Sequence, residues 1–309
     1  MENSHTLAAK GDHEIRLRIW HPDGESTGVI QLLHGLGEHV SRYDRFAAAA
    51  NARGFVVCAH DHRGHGGHDP TAGYFADKNG WSLVVDDVHI AHEHVREQFP
   101  SLPIVLLGHS MGSYVAQSFA MHYGAKLSGL LLSGPMWPRR AKLLPAMLVA
   151  RLESLRMGAR GRSALMNKLG FGDFNKRFEP ARTEMDWLSR DEHEVDLYIA
   201  DPLCGGPYTC GLWIDVLHAL FNIGSDNALN RIPADLPILI TGGSDDPVGG
   251  EGSMTRLTMH YAQTGHQRVT MKLYPEGRHE MLNETNRDEV TSDWLDWIGA
   301  RFHAGRSSA

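Results

Sequence analysis

The sequence predicts an α/β protein with a mostly parallel central sheet, helices on both faces and an inserted helical cap. Short apolar runs alternate with helical patterns along the chain, this alternation stops at Gly134-Pro135, and it resumes near Pro233. Strands that alternate with helices pair in parallel, because each connecting helix must lie on a face of the sheet. We therefore expect a first part of the core over residues 1–135, the cap over 136–232 and the second part of the core over 233–309.

Six strands and five helices of the core follow from this alternation. The predicted strands are residues 27–33, 55–60, 103–107, 127–133, 237–241 and 269–274. The predicted helices are residues 41–53, 80–98, 111–123, 252–264 and 286–303. The carboxyl ends of parallel strands meet at one edge of a sheet, where open α/β sheets place their binding sites. Side chains that follow these strands are therefore the first candidates for function.

Length, composition and charge narrow the class of protein. A chain of 309 residues with 42% hydrophobic residues can fill the core of one large α/β domain with an insertion. The net charge of −7 gives no reason to expect a nucleic-acid partner. The amino-terminal residues lack the apolar stretch of a secretory signal, and no run approaches the ~18 apolar residues of a spanning helix. We expect a soluble, cytoplasmic protein whose oligomeric state the sequence leaves open.

The motif Gly108-His109-Ser110-Met111-Gly112 lies between a predicted strand and a predicted helix. A nucleophilic serine needs such a sharp strand-to-helix turn, which pushes its hydroxyl clear of the backbone. Glycines on both sides remove the Cβ atoms that would crowd the turn. The motif alone is often an ordinary Gly/Ser turn, but its position between strand and helix favours Ser110 as a nucleophile.

A serine nucleophile needs a base and an acid that orients the base, and here they are expected after the serine in the order acid, then histidine. Asp246 follows the strand at 237–241, and His279 follows the strand at 269–274. Asp245 competes with Asp246 for the acid role, because adjacent loop residues often point in different directions. We predict Asp246 as the acid and His279 as the base.

The loop of residues 34–39, HGLGEH, follows the first long strand and is called the oxyanion loop below. Its glycines let the backbone approach a substrate carbonyl. The backbone N–H groups of Leu36 and Met111 are the expected pair of donors for an oxyanion, a type of contact worth roughly 3–4 kcal/mol per donor.

At this point the chain resembles the monoacylglycerol lipases, with their lysophospholipase and carboxylesterase relatives. The similarity covers nearly the whole chain and is carried by HGLGEHVSRY, AHDHRGHG, LLGHSMG, EVDLYIADPLC, GSDDPV and YPEGRHEML, whereas residues 136–193 match poorly. The resemblance implies an α/β-hydrolase fold, a triad at Ser110, Asp246 and His279, and no cofactor. It also implies that polar groups at Glu38, Arg42 and Tyr198 surround the glycerol end of the substrate.

The implied activity is hydrolysis of a carboxylic ester, with a lipid or small ester as substrate and monoacylglycerol as the first choice. Lysophospholipases and broad carboxylesterases use the same machinery, so they stay open as alternatives. A peptidase, a C–C hydrolase or a non-catalytic small-molecule receptor on this fold is less favoured. For Glu38 and Arg42 a second interpretation also stays open, in which the two side chains pair with each other and brace the oxyanion loop.

The stretch HDHRGHGGHD, residues 60–69, raises the question of a metal site. Imidazoles and carboxylates are common zinc ligands, and the spacing of His60, His62 and His65 is close to that of a metallohydrolase run. Gly64 stands where that run has an aspartate, so we predict no metal here. Asp61 and Arg63 are expected to tie this loop to neighbouring backbone. The histidines at 89, 92 and 94 are expected on a largely solvent-exposed helical face.

The cap carries a basic and apolar segment. Residues 139–168 hold eight Lys or Arg and one acid, with leucines and methionine at helical spacing between them. This pattern is typical of a helix that rests on an anionic membrane surface, or of a cap helix that packs over a pocket. Further along, Cys204 and Cys210 are expected to be free thiols that line the pocket, rather than a disulfide in a reducing cytoplasm.

Overall fold

The structure is a computed structural model that describes residues 2–67, 69, 71–206 and 208–304. Within these residues eight strands form one sheet: β1 (Glu2–Ala8), β2 (Glu14–Trp20), β3 (Gly28–Leu33), β4 (Phe55–His60), β5 (Ile104–His109), β6 (Gly129–Ser133), β7 (Ile238–Gly243) and β8 (Val269–Tyr274). The strand order is β1-β2-β4-β3-β5-β6-β7-β8. Strands β1, β2 and β4 pair antiparallel, and all other neighbours pair parallel.

The helices of the described residues are α1 (Asp44–Ala52), α2 (Gly80–Gln98), α3 (Met111–Tyr123), α4 (Arg140–Met157), α5 (Ala164–Phe171), α6 (Glu192–Ala200), α7 (Cys210–Ile223), α8 (Asp226–Leu229), α9 (Gly250–Gln263) and α10 (Arg287–Ala304). Helices α1 and α10 pack on one face of the sheet, and α2, α3 and α9 pack on the other. The central strands are therefore covered on both sides and fully buried.

The predicted fold class is confirmed. Each of the six predicted strands lies within two residues of an observed one, and α2 and α3 begin and end where the sequence placed them. Strands β1 and β2 were not predicted. In β2 the side chains of Ile15, Leu17 and Ile19 are buried and alternate with polar neighbours, so β2 extends the sheet as an antiparallel strand with one face on the core.

The segment between β6 and β7 contains α4 to α8. Its helix α7 contributes buried Leu212, Val216 and Leu220 to the same apolar cluster as α3. This segment, the predicted cap, therefore lies over the carboxyl ends of the parallel strands and covers the loops that follow them. No helix in the described part of the chain is long and apolar enough to cross a membrane.

The prediction of a solvent-exposed histidine face on α2 is wrong. His92 is fully buried, and its Nδ1 lies 2.9 Å from Oε1 of Gln31 on β3. His89 is partly buried and stacks on Tyr123 with ring centroids 3.8 Å apart. His89 and His92 are three residues apart, so they share the helix face that packs against Tyr123 and Phe119 of α3. An imidazole on this face is therefore a packing residue.

Candidate active site

Ser110 occupies the sharp turn between β5 and α3. Its φ of 50° and ψ of −117° form a conformation that non-glycine residues rarely adopt, and its backbone N–H donates to the carbonyl of Ser133 at 2.8 Å. A Cβ added at Gly108 would overlap the carbonyl of Gly112, and one added at Gly112 would overlap that of Leu33. Both glycines are therefore required by close backbone approach, and together they hold the serine at the edge of the sheet.

Asp246 and His279 form a buried pair beside this turn. His279 Nδ1 lies 2.9 Å from Asp246 Oδ2, and the second carboxylate oxygen accepts the N–H of Val248 at 2.8 Å. Burial disfavours the charged imidazole, but the Asp246 carboxylate outweighs it and raises the pKa of His279 above its usual value. With Nδ1 held by the carboxylate, Nε2 is the ring nitrogen available to accept a proton.

Asp245 lies in a different environment from its neighbour. Its carboxylate accepts a hydrogen bond of 2.6 Å from Arg177 of the cap, and its side chain is one-third exposed. The Asp246 side chain is fully buried against the histidine. The geometry therefore brings Asp246, and not Asp245, together with His279.

The oxyanion loop after β3 passes directly beside the serine. A Cβ placed on Gly35 would lie 3.2 Å from Ser110 Cβ and 2.8 Å from Glu38 Oε1, so only glycine fits between them. Leu36, Met111 and Ser110 line the same cavity. This places the loop that carries Leu36 within reach of an ester bound at the serine.

Glu38 and Arg42 form a buried network beneath the loop. Glu38 accepts hydrogen bonds from the Gly35 N–H at 2.6 Å, from the Tyr43 hydroxyl at 2.8 Å and from Arg42 at 3.0 Å. Burial raises the pKa of Glu38, but the charge of Arg42, together with the nearby imidazoles of His109 and His34 and the Gly35 hydrogen bond, outweighs burial and brings the pKa down to about 2. Arg42 also binds both carboxylate oxygens of Glu280 at 2.6 Å. Sequence reasoning missed Glu280, although it directly follows the histidine.

The cap contacts the oxyanion loop and the loop that carries His279. The Tyr198 hydroxyl donates to the Gly37 carbonyl at 2.9 Å, and the Gly205 N–H donates to the same oxygen at 2.8 Å. On the other side, the ring of Trp187 lies 5.2 Å from that of His279. Trp187 was also missed, because a tryptophan in a poorly matching segment carries no signal of its position in the fold.

A cavity of about 1200 Å³ lies between the cap and the strand ends. Ser110, His279, Glu38 and Tyr198 line it, whereas Arg42 is not among the described residues that do. Most of the wall is apolar, formed by Leu36, Met111, Tyr114, Met136, Leu143, Ala146, Leu169, Phe171, Phe174, Trp187, Leu188, Trp213, Val216, Leu217, Leu220 and Val248. A mostly apolar wall with polar groups such as Ser110, His279, Glu38 and Tyr198 suits a ligand with a long apolar chain and a small polar head.

The histidine-rich loop after β4 packs behind the oxyanion loop. The rings of His34 and His62 lie 4.3 Å apart, and those of His34 and His65 lie 5.2 Å apart. Asp61 accepts the Val40 N–H at 2.8 Å, and Arg63 donates to the Lys10 carbonyl at 2.8 Å, both as predicted. Arg63 also pairs with the buried carboxylate of Asp87. The fourth histidine of this stretch, His68, lies outside the described residues.

Another group could offer ligands to a metal ion. Among the described residues, His39, Asp201 and Cys204 carry potential ligand atoms within 4.8 Å of one another. His39 and Asp201 already share a hydrogen bond of 2.8 Å, and burial raises the pKa of the Cys204 thiol to about 12. A thiol that stays protonated at neutral pH is a poor metal ligand.

The cysteine prediction is wrong in one respect. Cys204 and Cys210 are free thiols, but neither is among the described residues that line the cavity. Between them Gly205, Gly206 and Tyr208 line it instead, and Pro207 lies outside the described residues. The described part of this segment therefore contributes two glycines and a tyrosine to the cavity wall instead of thiols.

The sheet order and the serine at the turn after β5 are those of an α/β hydrolase. The family described as serine aminopeptidase, S33, matches residues 24–286, and the chain belongs to this family. The monoglyceride lipase of Mus musculus is 30% identical over 97% of this chain and 91% of its own length. The monoacylglycerol lipase of Mycolicibacterium smegmatis is 28% identical over 96% of each chain.

Among solved structures, a thermostable carboxyl esterase from Bacillus coagulans in complex with glycerol aligns with a TM-score of 0.89. Its sequence is 30% identical, and the alignment covers 97% of this chain and 99% of that one. The resemblance predicted from the motifs is therefore confirmed.

Proposed function

We propose that this protein hydrolyses monoacylglycerols to a fatty acid and glycerol. The observation that carries the proposal is the buried Asp246–His279 pair beside Ser110, with Ser110 and His279 lining one large, mostly apolar cavity. The relatives that match almost the full length are named monoglyceride or monoacylglycerol lipases, which supports this substrate over a lysophospholipid or a peptide.

In the proposed reaction Ser110 Oγ attacks the ester carbonyl carbon while His279 Nε2 takes the serine proton. Asp246 fixes the imidazole tautomer and stabilises its charged form. The N–H groups of Leu36 and Met111 bind the developing oxyanion. His279 then gives its proton to the leaving glycerol oxygen, and water hydrolyses the acyl-serine by the same steps in reverse roles. All of these groups belong to the chain itself.

For Glu38, Arg42 and Tyr198, the contacts support a role different from the glycerol binding that the resemblance implies. The carboxylate of Glu38 already accepts three hydrogen bonds, and Arg42 is held by two carboxylates. The Tyr198 hydroxyl already donates to the Gly37 carbonyl. We therefore propose that these side chains brace the oxyanion loop and leave little hydrogen-bonding capacity for substrate.

A second part of the proposal concerns peripheral membrane contact through the cap. On α4 Leu144, Leu148, Leu152 and Leu155 are 55%, 60%, 55% and 84% exposed. Eight exposed basic residues surround them: Arg139, Arg140, Lys142, Arg151, Arg156, Arg160, Arg162 and Lys168. Lys142, Leu143, Lys168 and Leu169 also line the cavity, so this surface meets its rim. Exposed leucines among cations favour docking on an anionic lipid surface.

A substrate panel tests the catalytic proposal. Purified protein is assayed on monoacyl-, diacyl- and triacylglycerols, a lysophospholipid, a p-nitrophenyl ester and an amino-acid p-nitroanilide, with Ser110→Ala as the control. We expect the highest kcat/KM on monoacylglycerol and loss of nearly all activity in the variant. A higher kcat/KM on the lysophospholipid or the anilide would contradict the proposal.

Vesicle sedimentation tests the membrane proposal. We expect binding to phosphatidylglycerol vesicles, and at least a tenfold weaker binding by the double variant Leu148→Ser/Leu155→Ser. The matched control is Leu197→Ser/Ile199→Ser on α6, where the side chains are 53% and 51% exposed. Equal binding by the wild type and the α4 variant would contradict contact through this face.

A further inference from the structure

Tyr208 lines the cavity, and its hydroxyl lies beside the oxyanion loop. The side chain is 4% exposed. Its ring is held by aromatic neighbours, with centroids 5.8 Å from Phe171 and 5.9 Å from Trp213. No hydrogen-bond partner for its hydroxyl is present among the described residues, and its oxygen is not one of the fully enclosed polar atoms, so the hydroxyl can bind a ligand in the cavity.

The hydroxyl lies over the oxyanion loop. A Cβ added at Gly37, whose φ is +78°, would overlap the Tyr208 oxygen and approach the Tyr198 oxygen to 3.2 Å. Both phenol oxygens therefore converge on the residue next to Leu36. Of the two, Tyr198 has its proton engaged by the Gly37 carbonyl, so only the Tyr208 hydroxyl keeps its capacity to donate and accept.

Tyr208 and Ser110 line the same cavity, and the Tyr208 oxygen lies beside Gly37, the residue after Leu36. Aliphatic side chains of α4 and α7, among them Leu143, Val216 and Leu220, also line this cavity. We take the acyl chain of the ester to lie along these aliphatic side chains and the alcohol portion to lie beside Tyr208.

We infer that the Tyr208 hydroxyl binds a free hydroxyl group on the alcohol portion of the ester. The inference rests on the proposed ester hydrolysis and names the residue that makes the enzyme selective for a polyol ester. A phenol can donate to and accept from an alcohol, and its ring is already fixed by packing, so little side-chain entropy is lost on binding. Glu38, Arg42 and Tyr198 act behind it as positioning residues.

The test compares two substrates that differ only in the alcohol. The kcat/KM is measured on a 1-monoacylglycerol and on the propyl ester of the same fatty acid, which lacks both free hydroxyls. Tyr208→Phe removes one oxygen, and we expect the ratio of the two kcat/KM values to fall about tenfold, the usual scale for one lost hydrogen bond. The matched control is Tyr198→Phe, for which we expect kcat/KM to fall on both substrates and the ratio to stay unchanged.

The melting temperature gives a second readout. We expect Tyr208→Phe to keep or raise the melting temperature, because its hydroxyl has no partner among the described residues, and Tyr198→Phe to lower it. An unchanged ratio in Tyr208→Phe, or a lower melting temperature, would overturn the inference while the ester hydrolysis stands. A wild-type ratio at or below one would overturn the monoacylglycerol proposal itself.

Discussion

Asp245 and Asp246 show how much the direction of one side chain decides. The two residues are adjacent, yet one carboxylate pairs with Arg177 on the cap and the other with His279. The buried carboxylate acts on the imidazole in two ways, since it selects the tautomer and stabilises the positive charge. The second effect is the reason that the pKa of His279 is raised despite complete burial.

We therefore expect Asp246→Asn to lower kcat/KM by about 10³- to 10⁴-fold, because the amide favours the wrong tautomer. Asp245→Asn, the matched control, should stay within about twofold of the wild type, since it loses only a partly exposed ion pair. The measurement is kcat/KM on a p-nitrophenyl ester. A larger loss of kcat/KM in Asp245→Asn than in Asp246→Asn would contradict the assignment of Asp246 as the acid.

The pH profile checks the same pair independently. His279 must be neutral to accept the serine proton, so activity is lost as pH falls through its pKa. Since the Asp246 charge raises that pKa, the wild-type acid limb should lie above the ordinary imidazole value of about 6.5. The residual activity of Asp246→Asn should show its limb at lower pH, and an unmoved limb would contradict the assignment.

The histidines behind the oxyanion loop should make the stability of the fold depend on pH. Burial, with the neighbouring imidazole of His34, lowers the pKa of His60 to about 3 and that of His65 to about 4. In the unfolded chain both rings take up protons below about pH 6.5. The unfolded state therefore binds more protons between pH 6.5 and pH 4, and the folded state loses stability as pH falls through this window.

Urea unfolding at pH 7.5 and pH 5.0 measures this loss. Each such histidine should contribute up to about 1.4 kcal/mol per pH unit below pH 6.5. His60→Leu should reduce the difference in unfolding free energy between the two pH values. Both ring nitrogens of His60 are buried without a hydrogen-bond partner among the described residues, so this variant removes no protein contact of that kind. The same pH difference in wild type and variant would contradict the account.

At the level of elements, Arg42 connects the loop that carries Leu36 with the loop that carries His279. It lies after the oxyanion loop, and its two terminal guanidinium nitrogens donate to Glu280, the residue next to His279. Glu38 joins it to the Gly35 N–H. The loops after β3 and β8 are far apart in sequence, and this buried network fixes their spacing. A planar, forked cation is needed for that geometry.

We expect Arg42→Lys to lower kcat/KM at least tenfold on both the monoacylglycerol and the p-nitrophenyl ester, mostly through kcat, because a point charge cannot hold two carboxylates in this geometry. The matched control is Arg45→Lys, which alters a half-exposed pair with Glu194. A loss confined to the monoacylglycerol would instead mean that Arg42 binds glycerol.

At the scale of the whole molecule, the core could be predicted because its strands are short, apolar and regularly spaced. Buried and exposed side chains also alternate along β2 (Glu14–Trp20), but a partly polar strand is harder to recognise in a sequence than a continuous apolar run. The packing of the cap could not be predicted. It depends on contacts such as the Gly205 N–H with the Gly37 carbonyl, which join residues that no sequence periodicity relates.

The residues of the candidate site also divide into those that the sequence predicts and those that it does not. Ser110, Asp246 and His279 stand in local motifs at strand ends, so spacing and order were enough to select them. Glu280 and Tyr208 take their importance from tertiary contacts, in one case with Arg42 at a separation of 238 residues. The same contacts change the interpretation of Arg42 itself, whose residue type suits glycerol binding but whose partners are two carboxylates.

Titration with a fluorophosphonate tests whether Ser110 is the nucleophile. The adduct is located by intact-mass and peptide mass spectrometry, and monoacylglycerol hydrolysis is measured on the same samples. We expect one adduct per chain, located on Ser110, and a loss of monoacylglycerol hydrolysis in direct proportion to the labelled fraction. Full labelling of Ser110 with hydrolysis retained, or inactivation with the adduct on another residue, would contradict the claim that Ser110 is the nucleophile.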